Sequence, residues 1–328
     1  MLTVYLDQMK WIDLARAESG HAHGAGIVDP LRVLKRAVAD GRVRFPLSAA
    51  HYFETGKQRN PRRRKELAAT MASLAGTLRI APPHAIVPWE IRRALIEVLD
   101  LPISATPIEL FGRGAAHALA SPTLRYTAPT EYEGQQLPDS LRRDLERRVE
   151  PEYEEMILAS VTPEGVPDEM RFALNDVKNL TDDRFVSGQN YVANEISKLG
   201  RGRLDDVMLA TAFADIIEPL RAAARELAVS LDDDILDRGR MGTLIDHMPS
   251  RWVEMMLRRQ RQANPQKAWH GNDLNDVTAL AIAVPYCDVV VTERSWSAML
   301  NAAKVPQRFD TLVTPHLQDV IDLLAADR

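Results

Sequence analysis

Only one cysteine, Cys287, stands in the 328 residues, inside an apolar run, so no disulfide can close within the chain. That suits a reducing cytoplasm, the expected compartment. No run of about 20 apolar residues is present to span a bilayer, and no membrane partner is expected. The opening run from Leu2 to Leu6 is short, has no basic leader and stops at Asp7, unlike a secretion signal. An excess of positive charge is missing as well: the net charge is −5 and the pI about 5.9. Proteins that wrap duplex DNA non-specifically are usually basic overall. Any phosphate binding must therefore come from a local patch.

Several chemical signatures are also lacking. No P-loop pattern occurs, and the glycines from Gly20 to Gly26 follow no strand, which makes them a poor dinucleotide loop. The histidines show no zinc spacing, and His21 and His23 read as incidental members of that glycine-rich loop. Asp232-Asp233-Asp234 reads as a solvated helix boundary, because no calcium-loop spacing follows. No fixed-period repeat is found.

What remains is an ordinary globular composition. At 45% hydrophobic and 27% charged, the chain can build one large domain or two modest ones. Leu2 to Leu6 reads as a buried strand, followed by helical spacing through Trp11, Leu14 and Ala15. Pro30 opens a helix through Leu31, Leu34 and Val38 that Gly41 closes. Val43 to Leu47 reads as a second strand, cut short by Pro46, and Ser48 as the N-cap of a helix through Tyr52 and Glu54. The C-terminal part repeats this logic. Helices over 249–262 and 272–284 lead to a strand from Cys287 to Val291, ended by Thr292-Glu293. A helix over 296–303, a strand from Phe309 to Val313 and a helix from Pro315 through Leu324 complete it. Strands alternating with helices predict an α/β fold, a parallel sheet sandwiched by helices.

The middle differs. From Trp89 to Leu244 it reads as helical, with proline-rich breaks near 102–107, 122–138 and 163–167, and no strand alternation. The expected organisation is a discontinuous α/β domain, 1–88 and 245–328, closed around a helical insertion, 89–244.

In parallel sheets ligands bind beyond the carboxyl ends of the strands. Asp7 ends the first strand, and Glu54 lies about 9 Å by helix rise from the N-cap of the helix after the second. Asp273 and Asp276 start the helix that leads into the Cys287 strand, and Glu293 ends that strand. All five fall on or near one edge. Carboxylates so gathered repel one another unless a proton or a hard dication relieves them, and Mg²⁺ or Mn²⁺ takes oxygen ligands. Two such ions can activate a water and stabilise the leaving oxygen of a phosphodiester, with no histidine or cysteine nucleophile.

Asp7 after a hydrophobic strand, Glu54, and Asp276-Val277-Thr278-Ala279-Leu280-Ala281 leading to Asp288-Val289-Val290-Val291-Thr292-Glu293 resemble the acidic blocks of PIN-domain nucleases. The resemblance covers the two ends of the chain. It implies a PIN-like sheet and divalent-metal cleavage of RNA, or of structured DNA, with Asp7, Glu54 and Asp276 at the first three acidic positions. The fourth departs from the pattern: Arg294 stands where many members place an aspartate, and the nearest acid is Glu293. On this reading Asp7, Glu54, Asp276 and Glu293 are catalytic, and these four with Asp273 bind Mg²⁺ or Mn²⁺.

Each residue has a plainer reading. Asp7 could cap the next helix, Glu54 could be an exposed helix acid with His51 beside it on one face, and Glu293 an ordinary loop acid. Asn272 or Asp273 would cap its helix. The run of Lys57, Arg59, Arg62, Arg63, Arg64 and Lys65 is either a solvated loop and helix start or a phosphate-binding rim beside Glu54, with Arg294 as a further nucleic-acid contact. Arg251, Arg258, Arg259, Arg261 and Lys267 could form an opposite wall.

The expected function is a metal-dependent endonuclease on single-stranded RNA, or DNA, as a toxin or defence effector restrained by an antitoxin or other protein. Homo-oligomerisation stays open. The insertion, with Phe111-Gly112-Arg113-Gly114, would serve as a lid, a partner surface or a stabilising layer. A silent PIN-like scaffold that binds RNA or protein is the alternative from another class. A third is a small-phosphate hydrolase, although Asp7-Gln8-Met9 lacks the second aspartate of haloacid-dehalogenase-like phosphatases.

Overall fold

The computed structural model describes residues 1–159, 168–231, 237–264 and 266–326, with 168–180 described by backbone alone. The proline break at 163–167 and the triple at 232–234 lie outside the described residues.

The first part runs β1 (Leu2–Leu6), α1 (Gln8–Glu18), a 3₁₀ segment (Ala22–Ile27), α2 (Val28–Ala39), β2 (Val43–Arg44), α3 (Ala49–Lys57), α4 (Pro61–Ala75), β3 (Leu78–Ile80) and α5 (Pro83–Val98). Next come β4 (Phe111–Arg113), α6 (Gly114–Ala118), the hairpin β5 (Glu131–Tyr132) and β6 (Gln135–Gln136), α7 (Asp139–Leu158), α8 (Asp168–Leu199), α9 (Leu204–Ala214), α10 (Ile217–Glu226) and α11 (Arg238–Asp246). The last part is α12 (Pro249–Gln262), α13 (Asn272–Tyr286), β7 (Val289–Val291), α14 (Arg294–Ala302), α15 (Val305–Phe309), β8 (Leu312–Thr314) and α16 (Leu317–Ala326).

Four strands form a parallel sheet in the order β2-β1-β7-β8, with Tyr5 opposite Val290 and Val290 opposite Val313. Strands from the two ends of the chain therefore meet as central neighbours, as the expected α/β sheet requires. Pro46 does end β2 early, yet Leu47 resumes pairing: its N–H donates to Leu78 O at 3.1 Å, and Ile80 N–H donates to Leu47 O at 3.0 Å. Through this one residue the antiparallel pair β3–β4 continues the sheet.

The alternation of β1 divides the core in two, as the two-residue period of a strand demands. Val4 and Leu6, with Val289 and Val291, face a cluster containing Trp11, Leu34, Phe45 and Val320. Tyr5 and Val290 face Val253, Leu280, Trp296 and Val313. A third cluster joins Ile91 and Leu95 of α5 to Phe213 of α9, Leu220 of α10, and Leu244 and Ile245 of α11. Helix α5 thus serves both cores, since its Ile86 packs beneath the sheet.

Three expectations need correction. The Phe111–Arg113 segment, within the expected insertion, is a sheet strand paired with β3 and is fastened by α7. Glu154 of α7, almost fully buried, receives Arg79 Nη2 at 3.2 Å and the Ala115 N–H at 2.8 Å. Gly114 has φ +73°, and a Cβ there would lie 2.3 Å from Glu154 Oε1, so only glycine fits. The 89–244 stretch also holds strands after all, β4 and the β5–β6 hairpin, whose turn residues Glu133 and Gly134 both have positive φ. Two-residue hairpins use that geometry. Last, the strand expected at 309–313 begins at Leu312, because Pro306 in the first turn of α15 starts a short helix that ends at Asp310 with φ +50°.

Candidate functional site

From β1 the chain moves outward to β2, and from β7 it moves the other way to β8. The direction reverses between β1 and β7, and the crevice beyond the carboxyl ends of such a pair is where open α/β sheets bind ligands. Helices α1, α3 and α14 begin at this edge because they follow segments of the sheet. Helix α13 begins there because it must return to the amino end of β7.

A narrow cleft opens at this point, lined by Tyr5, Asp7, Gln8, His51, Glu54, Asn275 and Asp276 among others. It leaves about 10 Å³ for the centre of a water-sized sphere, close to the least that one water or one ion needs. Three of the five predicted acids, from three distant segments, therefore share one cleft.

Asp7 and Asp276 are held by identifiable partners. Asp7 is the N-cap of α1: its Oδ1 accepts from Met9 N–H at 3.2 Å and its Oδ2 from Thr292 Oγ1 at 2.9 Å. So the plain capping reading of Asp7 holds, while the second oxygen is directed by the strand next door. Asp276 Oδ2 accepts from Trp296 Nε1 at 3.1 Å. Burial, and then the charges of Asp7 and Glu54, push the Asp276 carboxyl up to about 8, against the pull of the Trp296 hydrogen bond. Glu54 is half-buried in the second turn of α3, and its charge reaches both Asp276 and Tyr5.

The other two acids stand apart from the cleft lining. Glu293 is exposed at the N-cap of α14, its carboxyl raised by partial burial and by Asp7, and lowered by Lys267 and Lys10. Asp273 is buried against Arg261, whose Nη2 donates at 2.7 Å, and it also accepts from His270 N–H at 2.8 Å. A carboxylate neutralised by a buried guanidinium is a partner of that cation, not of an ion in the cleft.

The basic residues separate in the same way. Lys57 stands at the mouth, its Nζ donating to Asn272 Oδ1 at 2.6 Å across α3 and α13. Arg59, Arg63 and Arg294 are exposed. Arg62 is exposed but paired with Glu66 at 2.8 Å, and half-buried Arg64 donates to Gln58 O at 3.2 Å. The opposite wall does not form. Arg251 and Arg258 pair with Asp215 and Glu254, Arg259 with Asp205 and Arg261 with Asp273. Of that set only Lys267 is exposed without an ion pair among the described residues.

Sequence reasoning passed over the residues that hold the acids. Thr292, fully buried, directs Asp7, and Trp296 directs Asp276; Arg261 lies 5.4 Å from the Trp296 ring centroid and braces it. A threonine directly after the apolar strand was the available signal for the first. Tyr5, Gln8 and Asn275 line the cleft unannounced. Gln8 is buried, with its Nε2 donating to Thr55 Oγ1 at 3.1 Å, and its Oε1 has no partner; neither has Asn275 Nδ2. Buried polar atoms are seldom left unpaired, and these two belong to residues that line the cleft.

Among the described residues, no group of three or more His, Cys, Asp or Glu is arranged to hold an ion as it stands. The donor chemistry nevertheless fits a hard dication. The lining acids offer carboxylate oxygen, the orphaned Gln8 Oε1 adds a neutral one, and the burial and mutual repulsion that raise Asp276 are penalties that such an ion relieves. Comparisons with family models, curated proteins and solved structures each return no match.

Proposed function

We propose that this chain is a PIN-like, metal-dependent endonuclease that hydrolyses phosphodiesters of single-stranded RNA. One observation carries the reading: Asp7, Glu54 and Asp276 line a single cleft at the reversal point of the sheet, with the unpaired Gln8 oxygen beside them. Bound Mg²⁺ or Mn²⁺ supplies activation of water and stabilisation of the leaving oxygen.

The chain's own residues do the rest. Asp7 and Asp276 are oriented by Thr292 and Trp296, so their oxygens are placed before any ligand arrives. Asp276 holds a proton at neutral pH and gives it up when positive charge enters. Glu293 at the mouth adds an acid at the departure from the expected fourth position. Lys57, Arg59 and Arg294 offer charge to flanking phosphates, which positions a strand without reading its bases. The net negative charge outside this rim disfavours wrapping of duplex DNA and leaves a single strand as the better fit.

The test is cleavage of a labelled single-stranded RNA in Mn²⁺. Cutting is expected in the parent and lost in Asp7→Asn and Asp276→Asn, with circular dichroism unchanged. If both variants cut as well as the parent, the site is misplaced. A second reading, a binding scaffold without chemistry, is favoured by the spread of the acids, which do not converge as a chelate. RNA binding that persists in EDTA, with no product at any Mn²⁺ concentration, selects it.

A further inference from the structure

A second hollow, of about 320 Å³, lies between α1, the 3₁₀ segment Ala22–Ile27 and the start of α4. That volume is at the small end of ligand pockets and suits one small molecule or one residue of a polymer. Ile12 and Leu67 give it an apolar floor, and His21, His23, Gln58 and Arg63 line its rim.

The two histidines are not adrift in a loop. Their rings stack with centroids 5.3 Å apart and planes 27° from parallel. His21 caps the 3₁₀ segment, its Nδ1 accepting from His23 N–H at 3.2 Å. Gly24 anchors the segment: a Cβ there would come within 2.3 Å of Ala17 N, so the loop backbone rests directly on the backbone of α1.

The charge of the rim comes from one residue. Arg16 and Glu66 also line the hollow, but Arg16 is paired with Asp13 and the Glu66 carboxylate with Arg62, whereas the Arg63 guanidinium has no ion pair among the described residues. An exposed aromatic stack, an apolar floor and a free guanidinium together ask for a ligand with a flat ring and an anionic group. Unpaired nucleotides are bound in this way, by stacking on aromatic or histidine rings and by Arg or Lys on the phosphate.

The hollow shares α1 with the cleft. Ile12 and the C-cap Ser19 are four and eleven residues beyond Gln8, about 6 to 17 Å along the helix axis. Gln58 directly follows Lys57, the residue at the cleft mouth. Resting on the nuclease reading, we propose that this hollow seats one unpaired nucleotide of the strand being cut, its base extending the His21–His23 stack and its phosphate on Arg63.

The test is fluorescence anisotropy of a labelled single-stranded RNA decamer, in EDTA so that it stays whole. Loss of about tenfold in affinity is expected for His21→Ala/His23→Ala and for Arg63→Glu, with Arg63→Glu also lowering the salt dependence by about one charge. His21→Phe/His23→Phe, which keeps the stack, should restore binding. Parent-like affinity in both lossy variants overturns the proposal. So does binding of free uridine or adenosine monophosphate as tight as that of the decamer, which would mark a free-nucleotide site. A parent that cuts RNA while these variants bind it normally defeats this inference alone; a parent that neither binds nor cuts defeats the nuclease reading with it.

Discussion

His51 of α3 donates from Nε2 to the carbonyl of Leu6, the last residue of β1, at 2.8 Å, while its Nδ1 accepts from Ser48 N–H at 2.8 Å. A backbone N–H can only donate, so the ring is neutral with its hydrogen on Nε2. The imidazole closes the capping box of α3 and pins that helix to the strand end that carries Asp7. It sets where Glu54, one turn on, meets the other acids.

His51→Ala should therefore destabilise the fold by about 3 kcal/mol, through a small cavity and two buried backbone groups left unpaired. The pH dependence should change as well. Burial lowers the folded pKa of His51 from 6.5 to about 4. As pH falls from 6.5 to 4 the unfolded chain takes up a proton that the folded chain refuses. The contribution of His51 to stability then drops by on the order of 3 kcal/mol and levels off below that window. Urea melts at pH 7.5 and 4.5 isolate it as a difference between parent and variant: the deficit of His51→Ala should be smaller at pH 4.5 than at pH 7.5 by about that amount.

Asp276→Asn should stabilise the protein in the absence of metal. The parent carboxyl, raised to about 8 from an unfolded value near 3.8, binds a proton in the folded state that the unfolded state releases. Its contribution is fullest at pH 4 and is lost as pH rises to 8. Asparagine mimics the protonated form and can still accept from Trp296 Nε1. We expect a gain of about 1–3 kcal/mol at pH 8 and almost none at pH 4. Thermal melts in EDTA check this, and equal melting of parent and variant at both pH values would contradict the burial and repulsion argued for Asp276.

The four parallel strands, the early end of β2 and the Ser48 cap were legible because each rests on local chemistry: β-branched runs, proline and a capping serine. Asp7, Glu54 and Asp276 were legible because strand ends and helix starts fall on one edge of any parallel sheet. What was hidden depends on partners far away in sequence. Nothing local to Arg261 tells that it will meet Asp273, and nothing near Phe111 tells that Arg79 and Glu154 will turn it into a strand. The supposed basic wall failed for this reason. Arginines on an amphipathic helix look free until the acids of another helix are in place.

Asp273→Asn should act on stability and leave the cleft's affinity for Mn²⁺ near that of the parent. Breaking a buried ion pair from one side leaves a buried guanidinium without its partner, at a cost of about 3–5 kcal/mol. Arg261 is itself almost fully buried and also donates to Ala268 O at 2.8 Å. Replacing both, as Arg261→Met with Asp273→Leu, should recover most of the loss. Chemical denaturation and Mn²⁺ titration calorimetry separate the two roles. Loss of Mn²⁺ binding without loss of stability would restore Asp273 as a ligand.

Thr292→Val tests whether the neighbouring strand aims Asp7. The swap keeps shape at a fully buried position and removes only the hydroxyl that donates to Asp7 Oδ2 at 2.9 Å. Asp7 is half-exposed and keeps its hydrogen bond from Met9 N–H, so water can replace the lost donor, and stability should fall by no more than about 1 kcal/mol. Orientation should suffer more. Removing a group that fixes a metal-binding carboxylate commonly weakens metal affinity by about 10-fold or more. Mn²⁺ calorimetry should show that weakening in Thr292→Val and near-parental affinity in Thr292→Ser, which keeps the hydroxyl and loses the methyl. Near-parental affinity in Thr292→Val with weakening in Thr292→Ser would mean that packing of the methyl, not the hydrogen bond, holds the strand end in place, and Asp7 would then be positioned by its cap alone.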